Sequence, residues 1–172
     1  AGLAVFWGWS LGAGIVLALQ YGQSDAPFGG AFFEGGFSTV FSEIVVIATI
    51  ATLTLGLGVG RDDQVAGSTA LILWSASGAM LMTGAGNLMT IFLGLELLSL
   101  GLYCLCAISP RATAREAALK YLILSSMASG FLVFGMALLF GACGSVALSA
   151  LATAKPSVLL LLGSGLFLVG IA

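Results

Sequence analysis

Charge is nearly missing from this chain. Lys and Arg number 5 and Asp and Glu 7 in 172 residues, 7% together, for a net charge of −2. Soluble domains carry about a quarter charged residues, so most of this surface faces something other than water. The few basic residues form no cluster, which argues against nucleic-acid binding or electrostatic docking on anionic lipid. Histidine is absent altogether. That removes the usual second ligand type for zinc, haem or Rieske centres, and leaves a proton path only carboxylates, lysines, hydroxyls and water. Of three cysteines, Cys104 and Cys106 lie two apart and Cys143 stands alone. With no second CxC or CxxC motif, neither a metal site nor a disulfide is expected, and the thiols read as small apolar residues. What is abundant is hydrophobic residues, 60% of the chain, and glycine, 25 positions. The composition is that of an integral membrane protein.

Six apolar runs of about bilayer length recur, near residues 2–20, 40–60, 68–84, 88–107, 117–142 and 157–172. Each approaches the ~20 residues that a helix rising 1.5 Å per residue needs to cross ~30 Å of hydrocarbon. None alternates with period two over about ten residues as membrane strands do. The expected fold is all-α, a polytopic transmembrane bundle of about six spans forming a single, partial domain. The chain opens at Ala1 inside one apolar run and stops at Ala172 inside another, and is expected to be a piece of a longer protein.

Arg61, Arg111 and Arg115 fall in joints on one side and Lys155 on the other, so the positive-inside rule puts the joints around Arg61 and Arg111 in the cytoplasm. The segment Gln23 to Phe37, with turn residues and four phenylalanines, reads as an outer interfacial loop whose rings anchor at headgroup level. Glycine, alanine and serine recur on the helices, as in Ser75 to Gly78, Ser125 to Gly130 and Gly163 to Gly165. Close helix packing accounts for them, because lipid tails compete with leucine but not with tight backbone approach.

Against this background one carboxylate stands out. Glu96 occupies the middle of the run 88–107, which has no other charge. An ionised acid at a helix centre costs roughly 2.5 to 3.5 kcal/mol on insertion scales, so a glutamate there marks a hydrated or protein-facing interior and, by default, a path for ions or protons. Ser99 and Tyr103, three and seven residues on, share its face and extend a polar stripe. Lys120 lies one turn inside the fifth run, four residues after Glu116, the spacing of a helical Glu–Lys pair. Two readings stand for it: a group in a transport path, or an interfacial lysine that snorkels to the surface and pairs with Glu116. Glu43 reads as an interfacial carboxylate, and Lys155, before Pro156 at a helix start, as a solvated ammonium.

The stretch FLGLELLSLGLYCL from Phe92 to Leu105, followed by AREAALKYLILSSMASGFLVFGMALLFGACGS from Ala114 to Ser145, resembles subunit N of bacterial respiratory complex I, NADH-quinone oxidoreductase. The resemblance covers Phe92 to Ala172 and reaches the first third only through hydropathy. It implies an antiporter-like subunit of about fourteen spans, of which this chain would cover the second to the first half of the seventh. It also implies roles. Glu96 matches the family glutamate of an ion pair that tunes a neighbouring lysine's hold on its proton, and Lys120 matches a lysine of the polar axis through the membrane arm. The lysine of the broken seventh helix and a PFH-type segment would follow Ala172, and this chain holds neither. Implied further are partnership with the other membrane subunits of complex I and with membrane lipids, a bacterial inner-membrane location, and no substrate bound directly other than protons. No cofactor is expected in this chain, with flavin and iron-sulfur clusters in partner subunits. Two alternatives stay open: a subunit of a multisubunit cation/proton antiporter, and a structural membrane subunit in which Glu96 serves packing or assembly.

Overall fold

The computed structural model describes residues 26–56 and 62–172, together with positions 12 and 15. Apart from positions 12 and 15, the run expected near 2–20 lies outside the described residues, as does the joint at Arg61. Among the described residues, six helices of five residues or more follow one another: α1 Gly36–Gly56, α2 Asp62–Thr83, α3 Leu88–Ala107, α4 Ala112–Cys143, the short α5 Leu148–Ala152, and α6 Val158–Ile171. No strand ladder occurs among the described residues, only two isolated bridges. The chain is an all-helical membrane protein. Four of the helices, α1 to α4, are long and apolar enough to cross a bilayer, and α6 is a shorter apolar helix of 14 residues.

The helices stand in a row, α1 against α2, α2 against α3, α3 against α4, and α4 against α6. Glycine sets how closely they meet. A Cβ at Gly78 of α2 would lie 2.5 Å from the Leu98 amide nitrogen and 2.7 Å from the Gly94 carbonyl oxygen of α3, so only a bare backbone fits at that crossing. Gly135 and Gly163 make the equivalent crossing of α4 and α6. An apolar core of Leu88, Leu132, Met136, Leu139 and Phe167 fills the space where α3, α4 and α6 converge. Elsewhere the polarity is that of a lipid-solvated protein. On α1 the buried residues include Ser38, Thr39, Ser42 and Thr49, while Phe41, Ile44, Ile47 and Leu55 are exposed.

One end of the bundle is tied together chiefly by backbone hydrogen bonds. After a turn at Pro27–Gly30 with left-handed φ at Phe28, Gly29 and Gly30, the chain passes beside the α2–α3 turn. There the Phe33 N–H donates to the Gly84 carbonyl (2.7 Å) and the Gly86 N–H to the Ala31 carbonyl (2.9 Å). On its other side the same turn meets the segment before α5, with the Leu88 N–H bonded to the Val146 carbonyl (2.9 Å) and the Leu148 N–H to the Gly86 carbonyl (3.0 Å). A Cβ at Gly86 would lie 2.1 Å from the Gly30 carbonyl oxygen, so the residue must be glycine. This modifies the expectation for Gln23 to Phe37. Within its described part, Phe28, Phe33 and Phe37 are exposed, but the Phe32 ring and one edge of the Phe33 ring also pack on Gly84 and Gly86, and α1 already begins at Gly36.

Asn87 caps α3 from this junction, accepting from the Thr90 N–H at 2.7 Å. The Thr90 hydroxyl lies 2.8 Å from the Asn87 side-chain oxygen and 2.9 Å from the Ala31 carbonyl. Asn87→Ala removes the cap and is expected to destabilise the helix start by about 1 kcal/mol, read as a lowered Tm of the detergent-purified protein.

Candidate functional site: the Glu96 carboxylate between two helices

α3 places Glu96 nearly midway along its length, and α4 runs antiparallel beside it after the short joint 108–111. The meeting of the two helices is fixed at two heights. Tyr103 of α3 is buried and packs edge-on against Tyr121 of α4, with ring centroids 4.8 Å apart. Seven residues back along α3 and eight on along α4, the Ser129 hydroxyl donates to Oε1 of Glu96. That antiparallel register carries the glutamate to a hydroxyl at mid-depth instead of to lipid. Glu96 is half-buried, as is Ser99 one turn further along the same stripe. A carboxylate offers about four acceptor positions and Ser129 fills one, so the remaining oxygen can bind water, a further hydroxyl or a basic side chain.

Ser129 was not singled out by the sequence, where it sits in the small-residue run Ser125 to Gly130. The signal lay in register: once α3 and α4 are taken as an antiparallel hairpin about a four-residue joint, a serine at that height faces the glutamate.

Lys120 and Glu116 form the i, i+4 ion pair that their spacing suggested, at 2.6 Å, with side chains 71% and 64% exposed. From Tyr121 to Cys143 α4 already rises about 33 Å, which fills the hydrocarbon and leaves Lys120 at its edge. Lys120 stands nine residues from Ser129, about 13 Å along the helix axis, so no direct contact joins it to Glu96. Exposed pairs of this kind contribute ~0.3–0.5 kcal/mol, and Glu116→Gln is accordingly expected to leave the Tm within about 1 °C in a chain of this size. Glu43 is half-buried on α1 and Lys155 exposed before α6. Among the described residues no three of His, Cys, Asp or Glu converge as metal ligands would.

α6 descends along α4 toward the same depth. A Cβ at Gly163 would meet Leu139 and one at Gly170 would meet Leu132 and the Ala128 carbonyl, so the end of α6 lies one residue from the turn that carries Ser129.

Known proteins resemble this chain in sequence and fold. Residues 85–172, which hold α3 to α6 and every element of the Glu96 contact, match the family model described as NADH:quinone oxidoreductase/Mrp antiporter, TM. NADH-quinone oxidoreductase subunit N 1 of Symbiobacterium thermophilum is 45% identical over 148 residues, 84% of this chain and 30% of that protein. A chain of respiratory complex I from Thermus thermophilus with bound aureothin superposes with a TM-score of 0.82 at 34% identity, covering 99% of this chain and 38% of that one. The membrane-bound sulfane sulfur reductase, an archaeal respiratory membrane complex, shares the fold with a TM-score of 0.77 at 21% identity, again over 99% of this chain and 38% of that one. The chain spans about 30% of the length of the curated relatives it matches. With more than half of its residues matched to that model, this chain belongs to the NADH:quinone oxidoreductase/Mrp antiporter transmembrane family.

Proposed function

We propose that this chain is a section of subunit N of a proton-pumping NADH-quinone oxidoreductase, and that Glu96 takes part in moving protons through it. The observation that carries this reading is the Ser129–Glu96 hydrogen bond, which holds an acid at mid-depth between two helices with acceptor positions to spare. Two unit charges 4 Å apart interact by about 4 kcal/mol at an effective dielectric of 20. A basic side chain brought to that distance from Glu96 therefore holds its proton while the carboxylate is ionised and yields it once the carboxylate is neutralised or withdrawn. The resemblance supplies that base, a lysine on the broken seventh helix following Ala172, and α6 leads toward the depth of Ser129. Lys120 is the next group of the polar axis, with Glu116 as its counter-ion and Ser99 and Tyr103 as polar support between the two heights. Because Lys120 and Glu96 do not touch, protons pass between them over water or hydroxyls.

In this reading the chain is non-redox and works within a single, partial transmembrane domain, its spans near 2–20, 40–60, 68–84, 88–107, 117–142 and 157–172. It assembles with the other membrane subunits of complex I in the inner membrane of a bacterium, with the joints near Arg61 and Arg111 to Arg115 in the cytoplasm. Flavin and iron-sulfur clusters belong to partner subunits. The multisubunit cation/proton antiporter remains a second reading because the matching family model spans both kinds of protein. Co-purification decides between them: flavin and iron-sulfur subunits accompany a complex I subunit, and only membrane antiporter subunits accompany the other. The functional test is Glu96→Gln in the full-length subunit, assembled and reconstituted into vesicles supplied with NADH. Loss of pumping supports the role, and unchanged pumping with normal assembly rejects it.

A further inference from the structure

A cleft of about 380 Å³ opens between α3 and α4 beside the joint 108–111. Tyr103 and Ala107 of α3 face Ala118, Leu119 and Leu122 of α4 across it, and Arg115 stands at its outer end. Apart from that guanidinium its walls are almost wholly apolar. Leu119 is 60% and Leu122 40% exposed, so the cleft is open along its side to whatever surrounds the helices. In a bilayer that surrounding is hydrocarbon, and a wall with so few polar groups gives water nothing to bond.

Depth decides what the outer end meets. Lys120 stands at the edge of the hydrocarbon, and Arg115 lies five residues nearer the joint, about 7.5 Å further out, among the headgroups. Seven residues separate Arg115 from Leu122, so the cleft runs about 10 Å from headgroup level into the hydrocarbon. Arg111 lies one turn before Arg115 on the same face of the chain, and both are exposed. The Glu116 carboxylate goes to Lys120 instead. Asp62 and Asp63 open α2, which packs against α3. A planar guanidinium offers phosphate oxygens two parallel N–H donors, so this end of the cleft suits a phosphate as its length suits an acyl chain.

We propose that the cleft holds one anionic phospholipid, with its phosphate on Arg115, Arg111 beside it, and the upper part of one acyl chain between Ala107, Leu119 and Leu122. The chain alone does not fix the lipid there, since a lipid tail gains nothing by exchanging other tails for leucine. The cleft admits the chain and the arginines select the headgroup. By the positive-inside rule this end faces the cytoplasmic leaflet, whose surface is anionic. Two guanidiniums suffice for one lipid, whereas docking a whole surface on anionic lipid takes the basic cluster that this chain lacks. Glu96 lies seven residues beyond Tyr103, about 10 Å deeper, and the proposal does not depend on any role for it.

Photo-crosslinking tests it on the full-length subunit in its complex, reconstituted into phosphatidylcholine vesicles. Phosphatidylglycerol and phosphatidylcholine, each with a diazirine on the upper part of one acyl chain, are supplied in turn at the same mole fraction, and the labelled segments are identified by peptide mass spectrometry. Segments 103–107 and 118–122 are expected to take the phosphatidylglycerol probe at least about tenfold over the phosphatidylcholine probe, and the exposed Ile44 and Ile47 of α1 to take both alike. Arg115→Gln is expected to cut the phosphatidylglycerol labelling of the cleft about fivefold. Ala107→Leu narrows the cleft, leaves both arginines in place, and should lower the labelling too. Equal labelling of the cleft by the two probes, or a preference unchanged by Arg115→Gln, overturns the proposal. No labelling by either probe means that another helix fills the cleft, and overturns it as well.

Discussion

Glu96→Gln is expected to lower NADH-driven proton uptake at least about tenfold while the complex assembles to its normal level. The substitution keeps the volume of the side chain and its ability to accept from the Ser129 hydroxyl, and removes only the charge. In the proposed role what is lost is the coupling to a neighbouring base, which for a base 4 Å away would be about 4 kcal/mol at an effective dielectric of 20, whereas a tenfold effect needs about 1.4 kcal/mol. The charge term is thus large enough even if most of it is screened by water around the site. Ser129→Ala makes the complementary change. It leaves the charge and takes away one charge-assisted hydrogen bond, ~1.5–3 kcal/mol, so pumping should fall less than in Glu96→Gln. If Glu96→Gln alone collapsed assembly while Glu96→Asp restored assembly but no pumping, the carboxylate would still be assigned to transport. Restored pumping with Glu96→Asp and normal pumping with Glu96→Gln would instead leave the residue a packing role.

The second large effect falls on the glycine crossing of α4 and α6. A Cβ at Gly135 would stand 2.6 Å from the Phe167 amide nitrogen and 2.9 Å from the Gly163 carbonyl oxygen. Both are backbone atoms, so no rotamer change relieves the contact and α6 itself must move away. Gly135→Ala is expected to cost about 1–3 kcal/mol, and Gly135→Leu to prevent accumulation of the full-length subunit in the membrane. Gly165→Ala on α6 is the control, because a Cβ there meets nothing within 4 Å. It should be neutral or raise the Tm, since alanine is favoured over glycine in a helix by about 1 kcal/mol. Equal behaviour of Gly135→Ala and Gly165→Ala, measured by thermal unfolding in detergent, would contradict the packing described.

Much of this was legible because the bilayer restricts what a sequence can be. The run 88–107 coincides with α3, and 117–142 lies within α4, since a charge-poor segment of that length has few other uses. Glu96 was legible for the same reason, as an acid is costly in that place. The i, i+4 pair of Glu116 and Lys120 followed from spacing alone.

What could not be read depends on contacts between segments distant in the chain. Ser129 becomes the partner of Glu96 through the register of two helices, which neither helix encodes separately. The junction of Ala31, Gly86 and Val146 is made of backbone hydrogen bonds, and main-chain groups leave little mark on side-chain patterning. Hydropathy also began the second run at residue 40, whereas α1 starts at Gly36. Its first turns carry Ser38, Thr39 and Ser42, polar residues that a hydropathy window discounts although they are buried against α2. In lipid the interior of a bundle is often its more polar part, and a reading that equates apolar with buried inverts such a helix.

The most direct measurement is the position of the Glu96 side chain in an experimental structure of the complete subunit, assembled in its complex and held in a lipid nanodisc. Our account requires the carboxylate to point at α4, bonded to Ser129, with a basic side chain or an ordered water on its remaining oxygen. A carboxylate directed into the lipid, with Ser129 turned elsewhere, would contradict it.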